Sequence, residues 1–498
     1  MANVLVFSTW QLSNPPHFET DLEIIQSHLE KGDRVFMIGC NAEMPACDTN
    51  IWHDMARCLY CIGRRRKGIG LLSKGIELLP FFSLTDNDHL KIAALPSSFQ
   101  AIEDLRKFKI DNHDIGLAVL STLISKLRDP NPDLIKYHQQ IRNMLMTSLA
   151  VYRTLINHLT AYNIDKVYVF NVRFAITRAV FRACQSKHVE CITHDRGHDI
   201  HHYQLVNNSM LHDGKNMQEN ILKSWNTEVD VKKKSEIASQ WFLDRAEGKE
   251  QSWKSFVVDQ DPDQLPEDWD VQKTNVVIFN SSEDEFAAVG QEWLNPLYQD
   301  QLEGLSKVIE SLKYLKNVQL YLRVHPNLLD IKNEQTASIK RLQSPNLTVI
   351  PADSSVSSYQ LVKNASKVIT FGSTVGIEAV YWGTPSILAG QSFYRELGGT
   401  YNPGSHEELI NMVLDKNLKP KPREAALVFG YYLNTFGIPF RHYQASGVFK
   451  GRYNGRRVTP GLHYWAGIAG LMALPPLRQA LSRRSTKRKL AMLEGKTL

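Results

Sequence analysis

The sequence predicts an α/β protein with two Rossmann-like, doubly wound domains, a helical insertion in the first and a helical tail after the second. Three stretches predict it. Asn3–Ser8, Glu19–Glu30 and Arg34–Gly39 read as strand, helix and strand, with a turn at Gly32-Asp33. The same grammar restarts at Asn275–Phe279, and 498 residues suit two domains. Lys367–Phe371 is a short apolar run that breaks at Gly372, after which Val375–Trp382 keeps helical spacing up to Gly383-Thr384-Pro385.

Taken in order, residues 1–257 read as the first domain. Its helical insertion covers 86–161, where Phe99–Lys107, Ile115–Leu127 and Asp133–Thr160 carry apolar residues every three or four positions. Strands resume at Lys166–Phe170 and Glu190–Thr193, with Ala175–Lys187 as the helix between them. A polar stretch over 258–270, rich in Asp, Gln and Pro without periodicity, reads as a linker. The second domain spans 271–420. Residues 421–498 read as helices crossing back, then a basic tail.

Composition excludes several classes. Hydrophobic residues at 43% and charged residues at 22% are globular values. A net charge of +6 is modest and uneven, with local excess at Arg64-Arg65-Arg66-Lys67 and in the last twenty residues, which suggests an anionic surface or substrate near those places, or a solvated basic face at 64–67, and no nucleic-acid partner. The opening has no charged n-region or cleavage site, and no apolar run approaches the ~20 residues of a spanning helix, so a cytoplasmic location is expected. Of six cysteines, Cys40, Cys47, Cys58 and Cys61 cluster in sequence. They read either as a structural zinc site or as reduced thiols packed as small hydrophobes.

Three places carry chemistry. Ser373 and Thr374, after Gly372, stand where a strand hands over to a helix, and free N–H groups with the helix dipole make an anion site there. Arg323 and His325 close the strand before Pro326 and reach the same sheet edge, so the set suits a diphosphate or a phosphodiester. Ser281 and Ser282 end a further strand as a second cradle, or as a helix cap with acidic residues behind it. The turn 193–199 gathers His194, Asp195, His198 and Asp199 around Arg196, with Asp195 as the expected base and His194 as the second choice. The plainer alternative is a polar turn in which Asp195 pairs with Arg196.

The motifs Arg323-Val324-His325-Pro326-Asn327, Phe371-Gly372-Ser373-Thr374-Val375-Gly376-Ile377-Glu378-Ala379 and Gly383-Thr384-Pro385 resemble those of capsule and surface-polysaccharide glycosyltransferases of the GT-B class. They are also similar to the His-Pro and Ser/Thr motifs of bacterial sialyl and Kdo transferases. The resemblance is firm over 275–400 and looser over the first 215 residues. It implies two facing Rossmann-like domains, with a nucleotide-sugar donor in the C-terminal one and a glycan or glycolipid acceptor in the N-terminal one. His325, Ser373 and Thr374 would then contact donor phosphate, Arg323 would support them, and Glu378 would contact ribose or base. Arg196 interrupts the acidic-Gly pattern of such relatives, and the four cysteines lie outside it.

The implied reaction is inverting sugar transfer with no cofactor required for catalysis, since the Asp-x-Asp matches fall in polar loops and not behind a strand of the donor domain. Two rivals remain: a CDP-polyol phosphotransferase of similar architecture, and a non-catalytic nucleotide-sugar-binding scaffold. The tail, with Tyr464, Trp465 and Leu471 ahead of Arg483, Arg484, Lys487 and Arg488, reads as peripheral contact with the inner face of a membrane or as a solvated end.

Overall fold

The computed structural model describes residues 1–73 and 75–496. The chain forms two compact units. One combines Met1–Leu127, Asn131–Leu211 and Gly437 onward, and the other combines Arg128–Pro130 with His212–Phe436.

In the first unit β1 (Asn3–Ser8), β2 (Arg34–Gly39), β3 (Glu77–Leu78), β4 (Lys166–Phe170) and β5 (Glu190–Arg196) run parallel in the order β3-β2-β1-β4-β5. β6 (His202–Asn207) and then Ile438–Pro439 extend the edge antiparallel. Val4, Val6, Val35 and Met37 are buried against Phe18, Leu22 and Ile25 of helix His17–Glu30, which reads out the β-branched strands and the apolar helix stripe seen in sequence. The expected helical insertion is present between β3 and β4, ending in helices Ile115–Leu127 and His138–Ala161.

The second unit is a five-stranded parallel sheet of β7 (Thr274–Phe279), β8 (Val318–Arg323), β9 (Leu347–Ile350), β10 (Lys367–Thr370) and β11 (Ser386–Leu388). Its spatial order is β11-β10-β7-β8-β9. The chain winds outward from β7 through β8 to β9, then returns to the other side of β7 at β10. The strand order therefore switches between β7 and β10, the place where open α/β sheets bind ligands.

The division differs from the expected one. Helices Gly214–Thr227 and Val231–Ala246, expected in the first domain, belong to the second unit. Their Ile221, Trp225, Trp241 and Phe242 share a core with Ala426 and Phe429 of helix Glu424–Leu433, itself expected to cross back. The Phe242 and Tyr381 rings stack at 4.0 Å. Nor is 258–270 a free linker: Leu265 and Trp269 pack against the second sheet, with Trp269 stacked on Tyr321 at 4.7 Å. From Gly437 onward the chain completes the first unit. The main-chain N–H groups of Arg441, His442 and Tyr443 donate to the Glu23 carboxylate, and Tyr453 donates to the Leu22 carbonyl.

The 64–67 run is not a solvated basic face at its first position. Arg64 is 2% exposed, forms a 2.6 Å ion pair with Glu19, and donates to the carbonyls of Gln11 and Val458.

Candidate functional site

Three strand ends meet at the switch point of the second sheet. β7 ends in Asn280 and Ser281, β8 in Arg323 and His325, and β10 in Gly372, Ser373 and Thr374. All seven line one or both of two cavities of about 260 and 390 Å³, which share His325, Ser373 and Thr374. The turn after β10 demands its glycine: Gly372 has φ +133°, and a Cβ there would lie 2.6 Å from the Gln391 carbonyl oxygen. Gly372→Ala is therefore expected to cost roughly 1–3 kcal/mol from backbone strain alone, read as a lower melting temperature.

Helix Val375–Trp382 starts directly behind this turn, with Ser373 accepting from the Val375 N–H at 3.3 Å through its hydroxyl. The Ser281 hydroxyl is buried without a hydrogen-bond partner, and the Cβ position of Gly372 is 3.8 Å from it. An unsatisfied buried hydroxyl beside a helix N-terminus is a donor in want of an acceptor. Ser282, the other residue expected in this cradle, is spoken for. It donates to Asp284 at 2.5 Å and accepts from Arg128 at 3.2 Å, so it braces the loop while lining the second cavity.

The two groups at the end of β8 differ in charge. Arg323 donates to the Pro351 carbonyl, and to the Ser354 carbonyl at 3.1 Å. Burial lowers its pKa to about 10, which leaves it cationic at neutral pH. Burial, with the Arg128 cation behind it, brings His325 down to about 4. Its Nδ1 accepts from the Asn327 N–H at 3.1 Å, so the neutral ring carries its proton on Nε2. His325 is thus a neutral hydrogen-bond donor here, and Arg323 alone of the two carries a charge.

Glu378 departs from the role the resemblance implies. The side chain is 1% exposed, with Oε1 taking Arg245 Nη2 at 2.9 Å and Oε2 taking the Tyr359 hydroxyl at 2.5 Å. Both oxygens are committed to the cavity wall. What the carboxylate does is hold Arg245, which also donates to the Thr374 hydroxyl at 3.2 Å and lines the cavity. The Glu378 charge raises the Arg245 pKa against the cost of burial. Sequence reading missed Arg245, because it ends a helix assigned to the other domain and meets its partner 133 positions later.

In the first unit β5 runs through Arg196, so His194 and Asp195 are strand residues and not members of one turn. Consecutive strand residues face opposite sides of a sheet. His194 is fully buried, 2.8 Å from Asp21 of helix His17–Glu30, which removes it as second base. Asp195 accepts from Asn171 Nδ2 at 3.0 Å and from the Arg196 N–H at 2.8 Å. Burial raises its pKa above the ordinary aspartate value. The Arg196 guanidinium instead donates to the carbonyls of Val448 and Pro15.

Cys40, Cys47, Cys58 and Cys61 are near neighbours, but no three of their sulfurs lie within 4.8 Å of one another. Among the described residues, His198, Asp199 and His202 form the single group of three or more such side chains whose ligand atoms lie within 4.8 Å of one another. Cys47 meets Thr49, Cys58 accepts from Asn50, and Cys61 donates to Gln11, while burial raises the Cys61 pKa to about 12.

No protein-family model matches the chain. No curated protein matches it either. Among solved structures, the β-Kdo 2,4 transferase of Thermosulfurimonas dismutans KpsC is 12% identical, with 62% of this chain and 87% of that one covered and a TM-score of 0.34. The β-Kdo 2,7 transferase of the same KpsC is 15% identical over 65% and 89%, at 0.33. The UDP-GlcNAc 2-epimerase from Neisseria meningitidis, bound to UDP-GlcNAc, is 10% identical over 87% and 96%, at 0.24. Likeness at these scores carries no argument about reaction; the architecture stands on the topology of this chain.

Proposed function

We propose that the chain is a glycosyltransferase that moves a sugar from a nucleotide-activated donor onto a surface glycan or glycolipid. The observation that carries this reading is the pair of cavities at the β7/β10 switch point. There the helix N-terminus and the neutral His325 donor border two cavities, one lined also by the Arg245 and Arg323 cations and the other by Ser281. Fixed donors and cations of this kind suit a phosphate that gains charge as its bond to the sugar breaks.

In the proposed step an acceptor hydroxyl attacks the anomeric carbon. Its proton passes to Asp195 while the carbon–oxygen bond to the donor phosphate breaks, and that electron pair stays on the phosphate. Arg245, Arg323 and the helix start meet the new charge, and His325 donates a hydrogen bond from Nε2. One base suffices for inversion. Glu378 is a positioning residue for Arg245, and the donor's ribose or base finds its contacts elsewhere on the wall.

The test is a thermal-shift series with CMP, CDP, UDP, GDP and dTDP. One nucleotide is expected to stabilise the protein, by about 2.7 kcal/mol at a hundredfold excess over Kd. His325→Ala should lose most of that shift at the same concentration. A flat response to all five sinks the donor-site reading.

A further inference from the structure

We propose that the two C-terminal helices form a docking surface for an anionic phospholipid bilayer, the first lying in the interface and the second gripping the headgroups. Helix Leu462–Ala473 and helix Pro475–Leu493 both rest on helix Met55–Ile69 of the first unit.

The first helix rests there by one side only. Tyr464 sits over Gly63, where an added Cβ would come within 2.7 Å of its ring, and Tyr60 meets Trp465 edge-on at 5.7 Å. The outward side is Leu462, Ala466, Ala469, Met472 and Ala473, all exposed, with Trp465 at its border, half-exposed beside Tyr60. These fall at i, i+3, i+4, i+7, i+10 and i+11, a single apolar stripe. Leu462 is 88% exposed, Met472 55% and Trp465 43%, and the stripe continues into Leu474 at 54% and Leu477 at 47%. A 12-residue helix is about 18 Å long, short of the ~30 Å hydrocarbon core. Among the described residues no helix is long and apolar enough to cross a membrane. Such a face can lie in the interface, with a tryptophan at headgroup depth.

The second helix supplies the charge. Its inner side is pinned: Arg478 pairs with Asp54, Ser482 accepts from the Met55 N–H at 3.2 Å, Ser485 meets His53 at 2.8 Å, and Leu493 is fully buried. Arg483, Arg484, Lys487 and Arg488 are exposed on the opposite side, and no carboxylate lies within ion-pair distance of them among the described residues. Four uncompensated cations beside an apolar stripe decide the occupant. A second copy of this chain would bring the same four cations against them, and nucleic acid would leave the stripe in water. An anionic lipid surface satisfies both.

The experiment is vesicle flotation of the full chain with phosphatidylcholine alone and with about 30% phosphatidylglycerol added. Binding is expected only with the anionic lipid, weakening as salt rises from about 0.1 M to about 1 M. Arg483→Gln with Arg484→Gln, Lys487→Gln and Arg488→Gln should lower partitioning roughly 100-fold or more. Leu462→Ser with Met472→Ser and Leu474→Ser, which spare the Tyr60–Trp465 contact, should lower it at least roughly tenfold. Both variants should keep the wild-type melting temperature and the wild-type nucleotide shift, so failure here is separable from failure of the donor site. Equal binding to both vesicles, no binding, or unchanged binding in the charge variant overturns the proposal. So does a dimer, seen by light scattering, that the serine variant abolishes while vesicle binding is absent.

Discussion

Arg245→Ala is expected to destabilise the second unit by roughly 3–5 kcal/mol, as removal of one partner from a buried ion pair does. The cost arises on the other side of the pair. Glu378 is 1% exposed and would keep only the Tyr359 hydroxyl, which cannot compensate a full charge. Because the Arg245 side chain is 33% exposed, water can follow it out and place the loss toward the lower end. In urea unfolding the midpoint should fall with the slope unchanged. The double variant Arg245→Met with Glu378→Gln separates two roles of the pair. Neutral side chains of similar size should restore most of the stability, while the nucleotide-induced thermal shift should stay reduced because the cation is gone. Recovery of both would show that Arg245 is scaffolding only.

The second large effect belongs to the other unit. Asp195→Asn is expected to lower turnover roughly 10²–10⁴-fold, the usual range for loss of a general base, with the nucleotide shift unchanged. The amide keeps the shape of the carboxylate and can still accept from the Arg196 N–H. A pH profile adds a direction. Burial raises the Asp195 pKa, and a base works only when ionised, so turnover should fall at a higher pH than an exposed aspartate would dictate as the solution is acidified. Asn171→Ala removes a hydrogen bond to the ionised form and should move that acid limb further up. Turnover by Asp195→Asn within a few-fold of wild type would remove Asp195 from the mechanism.

The parts of this molecule that can be read from sequence are those fixed by neighbours in the chain. β1, β2, β4, β7, β8 and β10 announce themselves as apolar runs closed by Gly, Pro or small polar residues. Ser281, Arg323, His325, Ser373 and Thr374 follow because each lies at or within four positions of the end of its strand. What fails is whatever depends on a distant partner. Helix Val231–Ala246 has an apolar side, but periodicity does not say which sheet that side meets, so Arg245 was out of view. β5 runs past Thr193 through three polar residues because β6 returns antiparallel to pair with them, and no local pattern encodes that pairing. Arg64 sits in a run of four basic residues and resembles a surface cation, yet Glu19 and two main-chain carbonyls bury it.

The first unit is made from both ends of the chain, with 212–436 emerging between its halves. On a ribosome the first two hundred residues would wait, incomplete, while the entire second unit is synthesised. During that interval Glu23 lacks the main-chain donors at 441–443 and Arg64 lacks the Val458 carbonyl. The open edge of β6 likewise has no strand at 438–439 beside it. The nascent chain therefore presents an unpaired sheet edge and uncapped buried charges until its last sixty residues arrive. Chaperone demand and proteolytic loss should accordingly concentrate on fragments that stop short of about residue 460.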